Sequence, residues 1–330
     1  MKVGAPTRRT ALAALAAAMQ GWPAMRARAQ GDFPIRAVRL VVPYSVGIGP
    51  DVVARSVAEQ LKLQWGQPVV VDNKPGASGI VAFGELRRTA ADGHTLYLAD
   101  AATLAVNPLL HATLPYDPVR DLTPLTLLFR ATFVLWVGGS SRFQSLADFQ
   151  DAARRSPGRL SYASLGNGHP SQLAVESYAH AAGLTLLHVP FKESGSLMSA
   201  VAAGDVDLTT FSVNTMAGLM ASGRLRPLAV AARERLTAHP TIPTLPEAGG
   251  PAVEMHPWAA LMTRAGTPSP VLTTLQLSLA QALASAAVRS RAEAAGFDIT
   301  PSTAQAVRER MAAETAAVQP LIAAGRVTPS

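Results

Sequence analysis

The chain has 330 residues, no cysteine and a formal net charge of +7, and each of these excludes something. Without thiols there is no disulfide framework, no thiolate metal site and no lipid-anchored leader, so stability must rest on apolar cores, of which this length supports one or, more comfortably, two. The charge does not mark a nucleic-acid binder: the first 30 residues hold five of the 29 basic residues and none of the acidic ones, leaving 24 basic against 22 acidic, and the remaining arginines form no stripe with interleaved aromatics.

Those first 30 residues read as an export signal. Lys2, Arg8 and Arg9 form a basic start, Ala11 to Met19 is an apolar run of nine, and Ala27-Arg28-Ala29 is a small-x-small site with cleavage expected near Ala29. The run is shorter than the roughly 18 to 20 apolar residues a membrane helix needs. Thr7-Arg8-Arg9-Thr10-Ala11-Leu12 partly fits a twin-arginine signal, with Ala11 where that motif prefers a large apolar residue, so the general secretory and twin-arginine routes both stay open. The expected destination is the periplasm.

The mature chain opens on Leu40-Val41-Val42, a strand that gives way to a turn from Pro43 to Gly49 and then to a helical pattern on Val53, Val57 and Leu61. Gly47 and Gly49 let the backbone turn tightly, Pro50 fits a first helical position, and Asp51 falls in the first turn, where the helix dipole favours an anion. Backbone N–H groups converging on such a loop suit a carboxylate or a phosphate. The same logic repeats. Val69-Val70-Val71 leads through the loop Asp72 to Gly79 into a helix from Ile80 to Arg88, with Ser78 as its N-cap. After the turn at Asp92-Gly93, Thr95 to Leu98 is a third strand, followed by a loop with Asp100, Ala101, Ala102 and Thr103 before Asn107-Pro108. Strands alternating with helices predict a parallel sheet, with all three loops at its carboxyl ends, where ligands bind.

Leu122 to Val137 holds a strand that ends the first domain and one that crosses out of it. A helix from Ser145 or Leu146 to Arg155 stops at Ser156-Pro157-Gly158, and the pattern begins again. Leu160 to Ser164 is a strand, Leu165 to Pro170 a loop, and Ser171 a candidate cap for a helix ending before Gly183. Thr185 to Val189 leads through Pro190 to Gly195 into a helix stopped at Gly204. Val206 to Phe211 exits through Ser212 and Asn214, and Leu228 to Ala232 is one more strand. Two successive βαβαβ blocks predict two similar domains. Thr237 to Pro257, rich in proline and glycine, suits an extended return. Trp258 to Thr263 is then a strand, Pro270 opens a helix to Ala287, and a final helix from Thr303 to Ala324 packs back on the first domain. The expected layout is a leader (1–30), a first domain in two parts (31–132 and 253–330), a second domain (133–252), and a cleft between them lined by loops from both.

Many local motifs occur in register: Pro34-Ile35-Arg36, Leu40 to Tyr44, Asp51-Val52-Val53-Ala54-Arg55, Gly66 to Ala77, Asp92-Gly93-His94-Thr95-Leu96, Leu114-Pro115-Tyr116-Asp117-Pro118, Pro157 to Ser164, His188-Val189-Pro190-Phe191-Lys192 and Gly223 to Val230. Together they resemble the Bug (TctC-like) family, extracytoplasmic solute receptors of tripartite tricarboxylate transporters, over nearly the whole mature chain. The resemblance implies an α/β fold of the periplasmic binding protein type 2 (Venus flytrap) class, two α/β domains with a ligand cleft between them. It also implies a small organic acid as ligand, membrane permease subunits as partners, action as a monomer, and no cofactor or metal. Carried over residue by residue, first-domain contacts come from Tyr44, Ser45, Val46, Gly47 and Gly49, with Ala77, Ser78, Ala102 and Thr103. The second domain closes with Ser164, Asn167, Gly168 and His169, with Phe191 and Asn214 at the rim.

The first loop departs from the family's Ala-Pro-Gly-Gly-Gly-Thr-Asp, since Ile48 replaces a glycine and Pro50 a hydroxyl, which points to a more apolar acid or a different ligand. Glu193 stands where glycine is common, and Ser212-Val213-Asn214 where Asp-Asn is usual. Asp51 is a candidate contact for a ligand amine, against plain complementation of its helix. Asn167-Gly168 doubles as turn chemistry, His169 as an exposed loop residue, and Ser78, Thr103 and Ser171 as ordinary caps; Lys192 is placed outside the site. Two other functions use the same residues: a ligand-presenting partner of a membrane sensor kinase, and an exported hydrolase built on Ser164, His169 and an acid. Against the enzyme, the sequence has no Gly-x-Ser-x-Gly elbow, no His-Glu-x-x-His, no Gly-Lys-Ser/Thr phosphate loop and no third glycine after Gly47-Ile48-Gly49.

Overall fold

The computed structural model describes residues 33–328. The leader expected at 1–30 lies outside the described residues, and the compact unit that carries the sheets and helices begins at Arg36. Among the described residues its first sheet has six strands. Strand β1 (Val38–Val42) pairs in parallel with β2 (Val69–Asn73) and β3 (Thr95–Asp100). Val38, Leu40, Val41 and Val42 are fully buried, as expected of a central parallel strand covered on both faces. Helix α1 (Gly49–Trp65) follows β1, turns Val53, Ala54, Val57 and Leu61 inward, and ends at Gly66 in the left-handed conformation. Helix α2 (Ile80–Arg87) follows β2.

The return strand β10 (Trp258–Arg264) inserts between β3 and β4 (Leu122–Arg130) and runs antiparallel to both, so the first sheet is mixed instead of purely parallel. Ala259 to Met262 are fully buried, and this apolar run suits a central place with core on either side. The edge strand β11 (Asp298–Ile299) pairs with β4.

The second group of strands departs further from the expected repeat. Strand β5 (Val134–Gly138) is antiparallel to both β8 (Thr209–Phe211) and β9 (Leu225–Val230), while β6 (Ser161–Ser164) and β7 (Leu187–Pro190) form a parallel pair. The Tyr162–Leu208 bridge links that pair toward β8. The cause is connectivity: β5 comes directly from β4 with no helical crossover, so its direction is set by the first sheet, whereas β8 and β9 each arrive by way of a helix. Helices α5 (Leu146–Arg155), α6 (Pro170–Ala181), α7 (Ser194–Ala203) and α8 (Val213–Ala221) cover these strands, with short helices α3 (Asn107–Leu110) and α4 (Pro118–Asp121) belonging to the first part. The two crossing segments are bonded to each other, Ala131 N–H to the Pro257 carbonyl (2.9 Å) and Phe133 N–H to that of Met255 (3.1 Å).

Three local expectations are corrected. Ser78 caps nothing: it adopts φ +48° in a 3-10 turn, Ala77–Gly79, and Gly79 precedes α2. Ser171 is not the cap of α6; His169 is, its ring nitrogen accepting the Ser171 N–H. The helix expected from Pro270 to Ala287 breaks at Ser285, which is extended (ψ 133°), into α9 (Ser269–Ala284) and α10 (Ala286–Ala294). The break bends the pair by 66° and lets both helices pack on α1. The last helix, α11 (Ala304–Ala323), packs on β4 as expected but also reaches α6. Val106, Leu110, Leu173, Val318, Leu321 and Val327 form one apolar cluster there.

Gly79 shows how tightly the first sheet's loops are stacked. It has φ +88°, and a Cβ there would fall on Thr103 Oγ1 and 3.1 Å from the Tyr97 hydroxyl. Gly79→Ala is expected to destabilise the protein by about 2–4 kcal/mol, read as a lower urea midpoint with an unchanged slope.

Candidate functional site

Two buried carboxylates set the loops at the carboxyl ends of β1, β2 and β3. Asp51, in the first turn of α1, is fully buried. Its Oδ2 accepts from Gly47 N–H (2.8 Å) and Arg55 Nε (2.9 Å), and its Oδ1 accepts from Asn73 Nδ2 (2.8 Å). Asn73 Nδ2 also donates to the Tyr44 carbonyl at 2.9 Å. Burial alone would raise the Asp51 pKa, but these donors outweigh it and hold the carboxyl below its ordinary range. The Gly47 N–H therefore shapes the loop from within.

Asp100 closes the second knot. Its Oδ2 accepts the Tyr44 hydroxyl at 2.6 Å, and its Oδ1 accepts both the N–H and the hydroxyl of Thr103, each at 2.9 Å. Burial, reinforced by the Asp100 charge, pushes the Tyr44 phenol well above its ordinary value, so it stays a donor. Thr103 lies in a wide π-helical turn, Ala102–Val106, a rare form of helix that is frequent at functional sites. The Ser78 carbonyl accepts from Asn107 Nδ2 at 2.9 Å and lies 3.4 Å from Thr103 Oγ1. Ala77 and Ser78, at φ +45° and +48°, hold conformations that cost non-glycine residues on the order of 1 kcal/mol or more; both are exposed, as are Ser45, Val46 and Gly47. Gly49 serves a different neighbour, since a Cβ there would lie 2.6 Å from the Phe297 ring.

The loop Ser164 to His169 meets the turns that follow β3. A Cβ at Gly168 would lie 2.7 Å from Leu110 Cδ1 and 3.6 Å from Val106, so the glycine lets the loop rest on the helical turns after β3. His169 Nδ1 accepts the Ser171 N–H (3.1 Å), which leaves the proton of the neutral ring on Nε2. Burial lowers the His169 pKa from its ordinary 6.5 to about 4, with the Asp100 carboxylate pulling the other way.

The remaining expected residues are used elsewhere. Asn167 Nδ2 donates to the Thr328 carbonyl (2.9 Å) and Asn214 Nδ2 to that of Glu293, so both amides tie the second lobe to the C-terminal segment. Phe191 is half-buried against the core of its own lobe. Asp100, Asn73, Gln172 and His188 were not singled out from sequence. Asp100 falls in the loop expected after Thr95 to Leu98, whereas β3 runs on to include it.

The His169 cap makes stability depend on pH. Its folded-state pKa is depressed, so its contribution is complete above pH 6.5 and is lost as pH falls from 6.5 toward 4. The loss reaches about 3 kcal/mol. His169→Asn, which keeps a capping acceptor but cannot titrate, is expected to flatten that part of a denaturation-versus-pH curve.

Residues 53–326 match the family model described as the tripartite tricarboxylate transporter family receptor, TctC. Protein BugT of Bordetella pertussis is 32% identical over 261 residues, covering 78% of this chain and 79% of that protein. Among solved structures, Rpa4515 of R. palustris with adipate superposes with a TM-score of 0.81 at 31% identity, covering 91% of this chain and all of that one. MatC of Rhodopseudomonas palustris with bound malate gives 0.75 at 28%, covering 87% of this chain and all of that one.

Proposed function

The chain belongs to the TctC family of tripartite tricarboxylate transporter receptors, whose fold is two α/β domains with a ligand cleft between them, and from that premise we propose that it captures a small carboxylate by domain closure and presents it to membrane permease subunits. Receptors of this family are periplasmic solute-binding proteins. The acid class is supported by neighbours whose structures hold adipate and malate.

The observation that carries the reading is the set of loops tied at the ends of β1, β2 and β3, with the Ser164–His169 loop resting at Gly168 on the turns that follow β3. Lobes of 31–132 with 253–330, and of 133–252, are supported by the paired crossings at 131–133 and 255–257. Rotation about two short crossings, with the acid contacted from both sides, lowers the free energy of the closed form relative to the open one. Val46 and Ile48, 69% and 42% exposed, put apolar surface beside the loop backbone, which favours an acid with an apolar body. The departure at Ile48 thereby acquires a role in selection.

No turnover is needed for this. The expected Ser164 and His169 pair is not formed: Ser164 meets His188 instead, Nε2 to Oγ at 2.6 Å, and Ser164 is fully buried. The 2.6 Å contact is within the range a serine and its base would need, but full burial leaves no path for a substrate to reach Ser164, which speaks against a nucleophilic serine.

A thermal-shift screen of residues 31–330 against mono-, di- and tricarboxylates tests the reading, since a ligand of the native state raises its melting temperature. At least one acid is expected to do so. Val46→Glu, which adds a like charge at an exposed loop position, is expected to weaken that acid about tenfold or more, roughly 1.4 kcal/mol. Leu63→Glu, at an exposed position of α1, is expected to leave the affinity within about twofold.

A further inference from the structure

The second-lobe loop is held by a chain of side chains whose polarity can be deduced atom by atom. The Gly168 N–H lies 2.7 Å from Gln172 Oε1. A backbone N–H can only donate, so the amide atom facing it must be the oxygen. The Gln172 nitrogen then faces His188 Nδ1, at 3.3 Å. An amide nitrogen can only donate, so Nδ1 must be the unprotonated acceptor of a neutral ring. The proton of His188 therefore sits on Nε2 and points at Ser164 Oγ, 2.6 Å away.

Ser164 Oγ also accepts the Gly166 N–H at 3.1 Å. With both lone pairs filled, its own proton has one course left, the Gly166 carbonyl at 3.2 Å. One hydroxyl thus holds the N–H and the C=O of the same loop residue, and it can do so only if His188 donates to it. With the proton on Nδ1 instead, Nε2 would take the Ser164 proton and the Gly166 carbonyl would lose its donor.

We infer that Gln172 and His188 are positioning residues for the binding loop: Gln172 fixes His188 as the Nε2–H tautomer, and His188 in turn makes Ser164 the clamp that orders Leu165 to His169. The ring cannot easily escape this assignment. Its face stacks on Tyr162, with centroids 5.0 Å apart, and the Tyr162 hydroxyl is anchored on Glu176 at 2.6 Å, which pairs with Arg326 at 3.1 Å. Turning the Gln172 amide over would set its NH2 against the Gly168 N–H. The same tautomer denies Ser164 a general base, because Nε2 carries a proton where a base needs a lone pair.

The link from loop order to acid affinity rests on the proposed function; the tautomer does not, so it is measured on ligand-free protein. Long-range proton–nitrogen correlation of histidine-labelled protein at pH 7.5 should show His188 with a protonated Nε2 and a bare Nδ1. Protonated Nδ1, or a mixture of tautomers, would overturn the inference. Gln172→Glu keeps the acceptor for Gly168 but replaces the donor facing Nδ1 by a second acceptor, and is expected to protonate Nδ1. An unchanged His188 signature in a folded Q172E protein would sever Gln172 from the chain. For adipate as the probe acid, Q172E and Ser164→Ala should each weaken binding by about fivefold or more, with the double variant no weaker than Ser164→Ala. Independent, multiplying losses would show that Gln172 does not act through Ser164.

Discussion

A buried carboxylate must have its oxygens filled, and the first-lobe half of the site depends on that constraint. Leaving such a charge unpaired costs several kcal/mol, so Asp51 and Asp100 draw donors from separate loops and elements onto themselves. Asp51 gathers Gly47, Arg55 and Asn73; Asp100 gathers Tyr44 and Thr103. Tyr44 and its neighbour Asn73 connect the two knots. The loops that remain at the surface are short, strained at Ala77 and Ser78, and carry apolar Val46 and Ile48 outward. Loops fixed in advance bind a ligand with little ordering cost.

The second lobe uses neutral groups for the same purpose. His169 caps α6 and His188 clamps Ser164, and each works only with a particular ring nitrogen left bare or protonated. Burial favours the neutral form of both rings.

Much of the architecture was legible because apolar runs and glycine or proline punctuation are local signals. Leu40 to Leu61 reads as strand, loop and helix without any partner in view, and α5 with its Ser145 cap falls where expected. What escaped was long-range pairing. Trp258 to Thr263 is visibly a strand, but nothing in it says that it enters between β3 and β4. Asp51 reads as a helix-dipole residue, yet it is its bonds to Gly47 and Asn73 that shape the loop and tie it to β2. Ser171 has the chemistry of a cap and loses the place to His169, whose imidazole accepts from the same helix terminus. The break at Ser285 has no glycine or proline to announce it; it arises from the demand that α9 and α10 both meet α1. The resemblance to a family supplied candidate contacts, but not the side chains that hold them in place.

The central claim is that the acid sits where the loops after β1, β2 and β3 meet the loop after β6. Amide proton–nitrogen spectra recorded while the acid found by thermal shift is titrated in test it most directly. The account predicts that the largest changes fall on Ser45 to Gly49, Ala77, Ser78 and Leu165 to His169. Changes confined instead to the cavity bordered by Arg130, Arg233, Arg235 and His256, with those loops silent, would contradict it.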